Sequence, residues 1–170
     1  MPRLVRAGID PERWLHEPGL AGDELQADAL FDLRTTGNKL SVFELVEPIT
    51  AERITVAVAA GKERPSDTGY VIFDSGELTA LGIGVESTPG GSADTEVNTL
   101  HRNLDIASDT KLLAFARNVV APSEKVPIIS ERLAQLFQAG LESGQLEEGR
   151  VNPKLVDWLR RRKRTDTAAH

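Results

Sequence analysis

The sequence predicts an α+β protein, in which a small, mainly antiparallel sheet with an N-terminal β-hairpin packs against a C-terminal layer of three to four helices. Three observations predict this class. A turn-centred alternating stretch occupies residues 28–46, further strand-like runs follow it, and helical signals dominate after residue 95. Because strands come first and helices last, the order favours α+β over an alternating α/β arrangement.

The composition fits one domain with an aliphatic core. Of 170 residues, 40% are hydrophobic, 27% are charged and 5% are aromatic. The absence of cysteine excludes disulfides, a thiol nucleophile and cysteine-based metal centres, and it fits a reducing compartment. No apolar run is long enough to cross a bilayer and no signal peptide is evident, so we expect a cytoplasmic protein that does not engage a membrane.

The chain is expected to divide into three parts. Residues 1–22 are predicted to be an arm that docks onto the body, residues 23–159 a single α+β domain, and residues 160–170 a basic, disordered tail. Within the arm, Asp10 is a typical residue to begin a short helix, and Trp14 supplies a large apolar anchor. We therefore expect one or two helical turns ahead of the sheet.

Residues 28–46, DALFDLRTTGNKLSVFELV, predict the hairpin. Apolar residues alternate on both sides of a turn, and Gly37 and Asn38 tolerate the positive φ angles of a tight hairpin turn. Asp32 and Glu44 belong to this hairpin, and metal-dependent nucleases place carboxylates on such adjacent strands. No lysine follows Glu44 two residues on, and alternation alone places polar side chains on the solvent face. We predict that both carboxylates face water.

Three further segments lead to the helical half of the chain. TAERITVAVAAGKERP alternates like a strand at Ile54, Val56 and Val58, but Thr50 and Gly61 are typical helix ends, so we predict a helix. GYVIFDSGELTALGIGVE predicts a buried strand, a turn at DSGE and a second strand. STPGGSADTE precedes a predicted helix, and its backbone amides could bind a phosphate at the beginning of that helix. The acidic residues around it would repel a phosphate, so we predict a mobile surface loop instead.

The remaining segments predict the helices. One helix is predicted in SDTKLLAFARNVVAP, where it begins at Ser108 and ends before Pro122. A second is predicted in SEKVPIISERLAQLFQAGLESG, which has one apolar side and carries Pro127 near its beginning. NPKLVDWLRRRKR begins with Asn152 as a cap and Pro153 at the first helical position. These segments form the helical layer that is expected to cover the sheet.

Asp74 and His101 are the candidates for catalysis, and neither belongs to an assembled motif. Asp74 ends the apolar run YVIF, where acidic residues act as metal ligands or catalytic groups in α/β enzymes, but Asp-Ser-Gly is also a common start of a turn. His101 lies four residues before Asp105, a spacing typical of an ordinary helix contact. The sequence lacks an HExxH pair, a GxSxG elbow and a P-loop. It therefore predicts no metal site and no cofactor, and it favours a non-enzymatic protein.

The basic run that ends the last predicted helix is the strongest local anomaly. It supplies the predicted binding residues, which are Trp158, Arg160, Arg161, Arg162, Lys163 and Arg164. Repulsion among five consecutive cations favours a solvated, fraying helix end. Attraction to the negative helix terminus, and docking against the chain's own acidic body, are alternatives. The functional interpretation is a tail that contacts the phosphate backbone of RNA or DNA, or one that plugs into an acidic partner.

Together these features predict a non-enzymatic interaction or scaffold subunit of a larger cytoplasmic assembly. A protein partner is expected, and nucleic acid is a second candidate through the C-terminal tail. The alternative function is an enzyme that processes nucleotides or nucleic acids with Asp74 and nearby acidic residues. The sequence gives no indication of the oligomeric state.

Overall fold

The computed structural model describes residues 1–14, 31–33 and 35–168, which form an α+β structure on a six-stranded antiparallel sheet. The strands are β1 (Arg3–Ile9), β2 (Lys39–Glu44), β3 (Thr68–Asp74), β4 (Val85–Ser87), β5 (His101–Asp105) and β6 (Lys125–Ile128). Across the sheet they follow the order β4-β5-β2-β1-β3-β6. The predicted fold class is confirmed.

Six helices accompany the sheet within the described residues. They are α1 (Ala51–Ala59), α2 (Ser75–Ala80), α3 (Thr95–Thr99), α4 (Asp109–Phe115), α5 (Ser130–Glu142) and α6 (Pro153–Ala168). A π-helical turn at Ala116–Val120 continues α4, and short 3-10 turns lie at Pro11–Trp14, Phe31–Leu33 and Glu148–Arg150. None of these helices is both long enough and apolar enough to span a membrane.

Capping residues set the beginnings of three predicted helices. The Thr50 hydroxyl accepts a hydrogen bond from the Arg53 amide at 3.1 Å, which confirms that this alternating segment is a helix and not a strand. Ser108 caps α4 and Asn152 caps α6 in the same way, each through a main-chain amide of the first turn. Local hydrogen bonding therefore decided where these helices begin.

β1 occupies the centre of the sheet, so residues 3–9 belong to the domain and do not form a docked arm. Val5 and Ala7 pack on one face of the sheet, and Leu4 and Ile9 pack on the other. A strand that is buried on both faces lacks alternation of polar and apolar residues, which is why the sequence pattern did not predict it.

The 3-10 turn that follows β1 carries the predicted anchor. Trp14 is 3% exposed and joins the core against the sheet, as the sequence predicted. The rest of the expected arm, residues 15–22, lies outside the described residues.

The predicted hairpin contains a tight turn that leads into β2. Gly37 and Asn38 adopt φ angles of 58° and 61°, and a backbone bridge closes the turn around them. Ahead of the turn, Phe31–Leu33 form a 3-10 turn instead of strand residues. Residues 28–30 and 34 lie outside the described part of the chain.

Helices cover both faces of the sheet. One face packs against α2, α4 and the N-terminal 3-10 turn, and its core includes Leu40, Val42, Val71, Phe73, Leu78, Leu104 and Phe115. On the other face α1 packs against β1 and β2, with a core of Val5, Ala7, Phe43, Ala51, Ile54, Ala57 and Val97. α5 and α6 then pack against α1 and β6, which gives the C-terminal helical layer.

Two segments differ from their predicted structures. DSGE does not form a turn but begins α2, because the Glu77 carboxylate accepts the Asp74 amide hydrogen at 3.0 Å, as in a capping box. Lys125–Ile128 form an edge strand, where the sequence predicted the beginning of a helix. Pro127 is tolerated there because an edge strand does not need every main-chain donor.

α6 continues to Ala168, where a disordered tail was expected over residues 160–170. Its inner side is buried through Leu155, Val156 and Leu159. The basic residues that follow remain helical because several of them are held by acidic residues of the body, as described below.

Candidate functional site

The structure separates the two predicted catalytic candidates. In the register of the sheet, Asp74 lies opposite Arg3 and His101 lies opposite Phe43. The strands β5, β2, β1 and β3 are successive neighbours, so three strand spacings, roughly 14 Å, lie between the two residues. Asp74 is exposed at the beginning of α2, which supports its interpretation as a residue that begins a local structure.

His101 is the first residue of β5 and not part of a helix with Asp105. Its Nδ1 atom lies 3.1 Å from the Thr88 carbonyl oxygen and 2.9 Å from the Thr88 hydroxyl. Because a carbonyl oxygen only accepts, the first contact requires the ring proton on Nδ1. The ring also meets Phe43 edge-on, with 5.3 Å between ring centroids. These contacts fix the imidazole and leave Nε2 as its second polar atom.

Asp32 is 7% exposed, so the prediction that it faces water is wrong. Its carboxylate accepts hydrogen bonds from the Asp10 amide (2.8 Å), the Trp14 indole (2.9 Å) and the Arg13 guanidinium (3.1 Å). Its carbonyl oxygen accepts from the Arg6 guanidinium at 2.6 Å. Asp32 therefore holds the segment after β1 in place, and its hydrogen bonds serve to stabilise the fold.

Glu44, the second carboxylate of the predicted hairpin, is half-buried and also paired. It lies 2.5 Å from the Arg102 guanidinium on the neighbouring strand β5. This cross-strand ion pair stabilises the pairing of β2 with β5, and it leaves Glu44 a structural residue.

A groove lies over β1, β2 and β5, between the C-terminal half of α1 and residues 91–93. It has a volume of about 310 Å³. Apolar walls come from Phe43, Ala57 and Val58. The polar lining residues are Arg6, Ser41, Ser92, His101 and Arg150. None of the twelve described residues that line it is acidic. Among these residues the sequence indicated only His101 as a candidate functional residue, because the others belong to no catalytic or binding motif and meet only in the folded chain.

The loop wall of this groove is held firmly, although the sequence predicted a mobile loop. The Asn98 side chain accepts from the Ser92 amide and hydroxyl, each at 2.7 Å, and donates to the Ser92 carbonyl at 3.1 Å. A Cβ on Gly90 would lie 2.8 Å from the Asn98 side-chain oxygen, so only glycine allows this close approach. The Ala93 carbonyl further accepts from the Glu147 amide at 2.9 Å.

A buried ion pair fixes the end of the same loop. Asp94 has a side chain only 1% exposed, and its carboxylate contacts the Arg53 guanidinium at 2.7 Å. It also accepts from the Glu96 and Val97 amides at the beginning of α3. Because this carboxylate is already compensated, it does not give the groove a negative charge.

The predicted binding residues lie on α6, and three of the five cations form ion pairs with the body. Arg162 contacts Glu131 in the first turn of α5, and Lys163 contacts Glu142, the last residue of α5, at 2.8 Å. Arg160 contacts the Glu148 carboxylate at 2.6 Å. Glu131 and Glu142 are about 16 Å apart along α5. Because the successive residues Arg162 and Lys163 reach these opposite ends of α5, α6 must cross over α5.

Arg161 and Arg164 lie on the outer side of α6. Both are exposed, and within the described residues neither guanidinium forms an ion pair. Trp158, the remaining predicted binding residue, is partly buried against the α5–α6 core, and the Arg162 guanidinium lies 5.5 Å from its ring centroid. The structure thus brings the predicted basic residues onto one helix but gives them different surroundings.

Comparison with protein-family models, with curated proteins and with solved structures finds no match for this chain. Among the described residues, no three histidine, aspartate or glutamate side chains lie together in a way that could hold a metal ion. Two surfaces therefore stand out on geometry alone: the groove beside His101 and the outer side of α6.

Proposed function

We propose that this protein is a non-enzymatic interaction subunit of a larger cytoplasmic assembly, and that it binds an acidic protein partner through the outer side of α6. The observation that carries the proposal is the pair Arg161 and Arg164, exposed and without ion pairs among the described residues. Residues three apart on a helix are neighbours, about 5–6 Å between Cβ atoms. They give a partner two adjacent cations at a defined spacing.

The surroundings of these two arginines support a preorganised surface. α6 is anchored from beneath by Leu155 and Leu159, which are 0% and 4% exposed. The ion pairs to α5 hold the following turn against the body. A partner therefore meets a helix that is already ordered, so less conformational entropy is lost on binding.

A protein partner fits this surface better than nucleic acid does. Arg160, Arg162 and Lys163 face glutamates of the same chain, so they add little to a phosphate-binding surface. Two uncompensated cations would release counterions from about two phosphates, which gives a log–log salt slope of roughly −1.8 on duplex DNA. This favourable contribution from counterion release is small compared with the repulsion between nucleic acid and a chain with a net charge of −6.

Paired charge variants test the proposal. Arg161→Gln/Arg164→Gln removes the two outer cations, and Lys154→Gln/Arg160→Gln removes the same charge from two α6 positions that pair with Glu63 and Glu148 and not with α5. Proteins captured from lysate of the native host should depend on the outer pair and persist with the control pair. Equal capture by the two double variants, or no capture by the unaltered protein, would contradict the proposal.

Fluorescence anisotropy with a labelled duplex and a labelled single strand tests the nucleic-acid arm. We expect negligible binding by the unaltered protein at low salt, and at most the shallow slope given above. A slope near −4.5, which corresponds to about five phosphates, would show that the glutamate pairs open and that nucleic acid is the partner.

No observation among the described residues favours the alternative of an enzyme that uses Asp74. Its side chain lies at an exposed helix start, and the groove beside His101 is lined by other residues.

A further inference from the structure

We propose that the groove beside His101 is a binding site for a small organic carboxylate with an apolar body. This site is separate from the outer side of α6 and does not depend on the function proposed for that surface. Its volume of about 310 Å³ lies at the lower end of the range for small-molecule sites. A single small molecule therefore matches it better than a peptide segment does.

The charge of the lining points to an anion. No acidic residue in the described part of the chain lines the groove, while Arg150 and His101 do. Arg150 is half-exposed and lies 2.8 Å from the Glu147 carboxylate, so its fork of donors retains capacity for a second acceptor. A carboxylate is the group that a guanidinium recognises with two parallel hydrogen bonds.

The end of α1 does not cancel this preference. A helix C-terminus is normally negative because its last carbonyl groups lack partners. Here Asn152 donates to the carbonyl oxygens of Ala60 (2.9 Å) and Gly61 (3.0 Å), and the Lys62 amide donates to Ala59 (3.0 Å). These carbonyl groups are therefore satisfied by the chain itself.

The apolar side of the groove indicates what the apolar body of the ligand must be. Val58 is 37% exposed although the neighbouring residues of α1 are largely buried, so it offers apolar surface beside Phe43 and Ala57. A ligand with a branched or aryl body would cover that surface and gain about 25 cal/mol for each Å² of apolar area removed from water.

The groove is preformed on both sides, which favours binding of a small ligand. The loop wall is fixed by Asn98 and by the buried Asp94–Arg53 ion pair, and the histidine ring is fixed by Thr88. Because these groups are ordered before the ligand arrives, few side chains lose freedom when it binds.

Isothermal titration calorimetry on the full-length protein tests the site. The probes are acetate, 3-methylbutanoate and 4-phenylbutanoate, each compared with the alcohol of the same carbon skeleton, and 4-phenylbutylamine as the cationic counterpart. We expect at least one of the two larger carboxylates to bind at a single site. Its alcohol should bind about tenfold more weakly, as loss of one charged hydrogen bond implies, and the amine should not bind.

Two variants locate the binding, each with a matched control. Arg150→Gln should weaken carboxylate binding about tenfold, whereas Arg132→Gln, which removes a similarly exposed and paired arginine elsewhere, should leave it unchanged. Val58→Glu should abolish it, and Val85→Glu, at another exposed valine, should not.

The proposal is overturned if no carboxylate of the series binds at millimolar concentration. It is equally overturned if carboxylate and alcohol bind alike, or if the Arg150 and Arg132 variants behave alike. A circular dichroism spectrum of each variant shows whether a lost affinity reflects the groove or loss of the fold.

Discussion

The Asp32 carboxylate joins three donors from the segment that follows β1, and it does so almost fully out of solvent. The Arg6 guanidinium lies in the same region, where burial lowers its pKa to about 10 while the charge of Asp32 acts in the opposite direction. Arginine nevertheless stays protonated at ordinary pH. The charge of Asp32 therefore compensates the buried Arg6 cation, and removing that charge leaves Arg6 without this compensation.

Asp32→Asn should lower the free energy of unfolding by about 3 kcal/mol, because an amide group would meet donors that now bind a carboxylate. Urea denaturation followed by circular dichroism measures this. Glu44→Gln is the matched control, since its ion pair with Arg102 is partly exposed, and it should cost about 1 kcal/mol or less. An equal loss in both variants would contradict the assignment of Asp32 as a buried anchor.

Single residues were predicted well where their role is local. Thr50 and Ser108 cap helices through amides three residues away, and Gly37 and Asn38 adopt the positive φ angles of their turn. Asp32 was not predicted, because its donors lie about 20 residues earlier in the chain and no spacing in the sequence reports that contact.

At the scale of elements, the crossing of α6 over α5 depends on charge as well as on burial. Glu142 accepts hydrogen bonds from Lys163 at 2.8 Å and from Gln138 at 2.6 Å. These bonds lower the pKa of Glu142 below its ordinary value of 4.5. A carboxyl group with a lowered pKa in the folded state stabilises that state above its ordinary pKa, and the contribution is lost as the pH falls further.

Acidification should therefore loosen the end of α6 before the rest of the protein. The amide chemical shifts of residues 160–165 should show an inflection below pH 4.5. Glu142→Gln lacks the titrating group, so the inflection should shrink or disappear in that variant. Unchanged titration curves in NMR spectra of the two proteins would show that the pair does not hold α6.

The buried side of α6 gives a second expectation at this scale. Leu155→Ala should cost about 3 kcal/mol of unfolding free energy, because Leu155 is fully buried and the substitution leaves a cavity. Trp158→Ala should cost less, about 1.5 kcal/mol, since Trp158 is only partly buried. Denaturant midpoints compare the two variants, and a larger loss from Trp158→Ala would contradict this placement.

Helices that begin at a capping residue could be predicted from the sequence. Strands that form because other strands pair with them could not. α1, α4 and α6 begin at capping residues that the sequence displays. β1 and β6 exist because other strands pair with them, at the centre and at the edge of the sheet. The groove depends on both kinds of element, which is why His101 is the one lining residue that the sequence indicated as a candidate functional residue.

For the whole molecule, both proposed surfaces reflect the distribution of charge, which is acidic over most of the chain and basic at residues 160–164. Acidic residues of the body pair with four cations of α6, and among the described residues only Arg161 and Arg164 of that helix have no ion pair. The groove, in contrast, is a region from which carboxylates are absent among the described residues. Both surfaces arise from how charge is distributed in the folded chain and not from its net value.

The strand order has a consequence for how fast the chain can fold. Three of the five strand pairings join segments about 60 residues apart, so long loops must close before these pairings stabilise anything. β1 takes part in one of them while lying at the centre, so the middle of the sheet cannot assemble from local contacts. We expect refolding in milliseconds to seconds, measured by stopped-flow fluorescence, whereas microsecond refolding would mean that helices α5 and α6 form the folding nucleus instead.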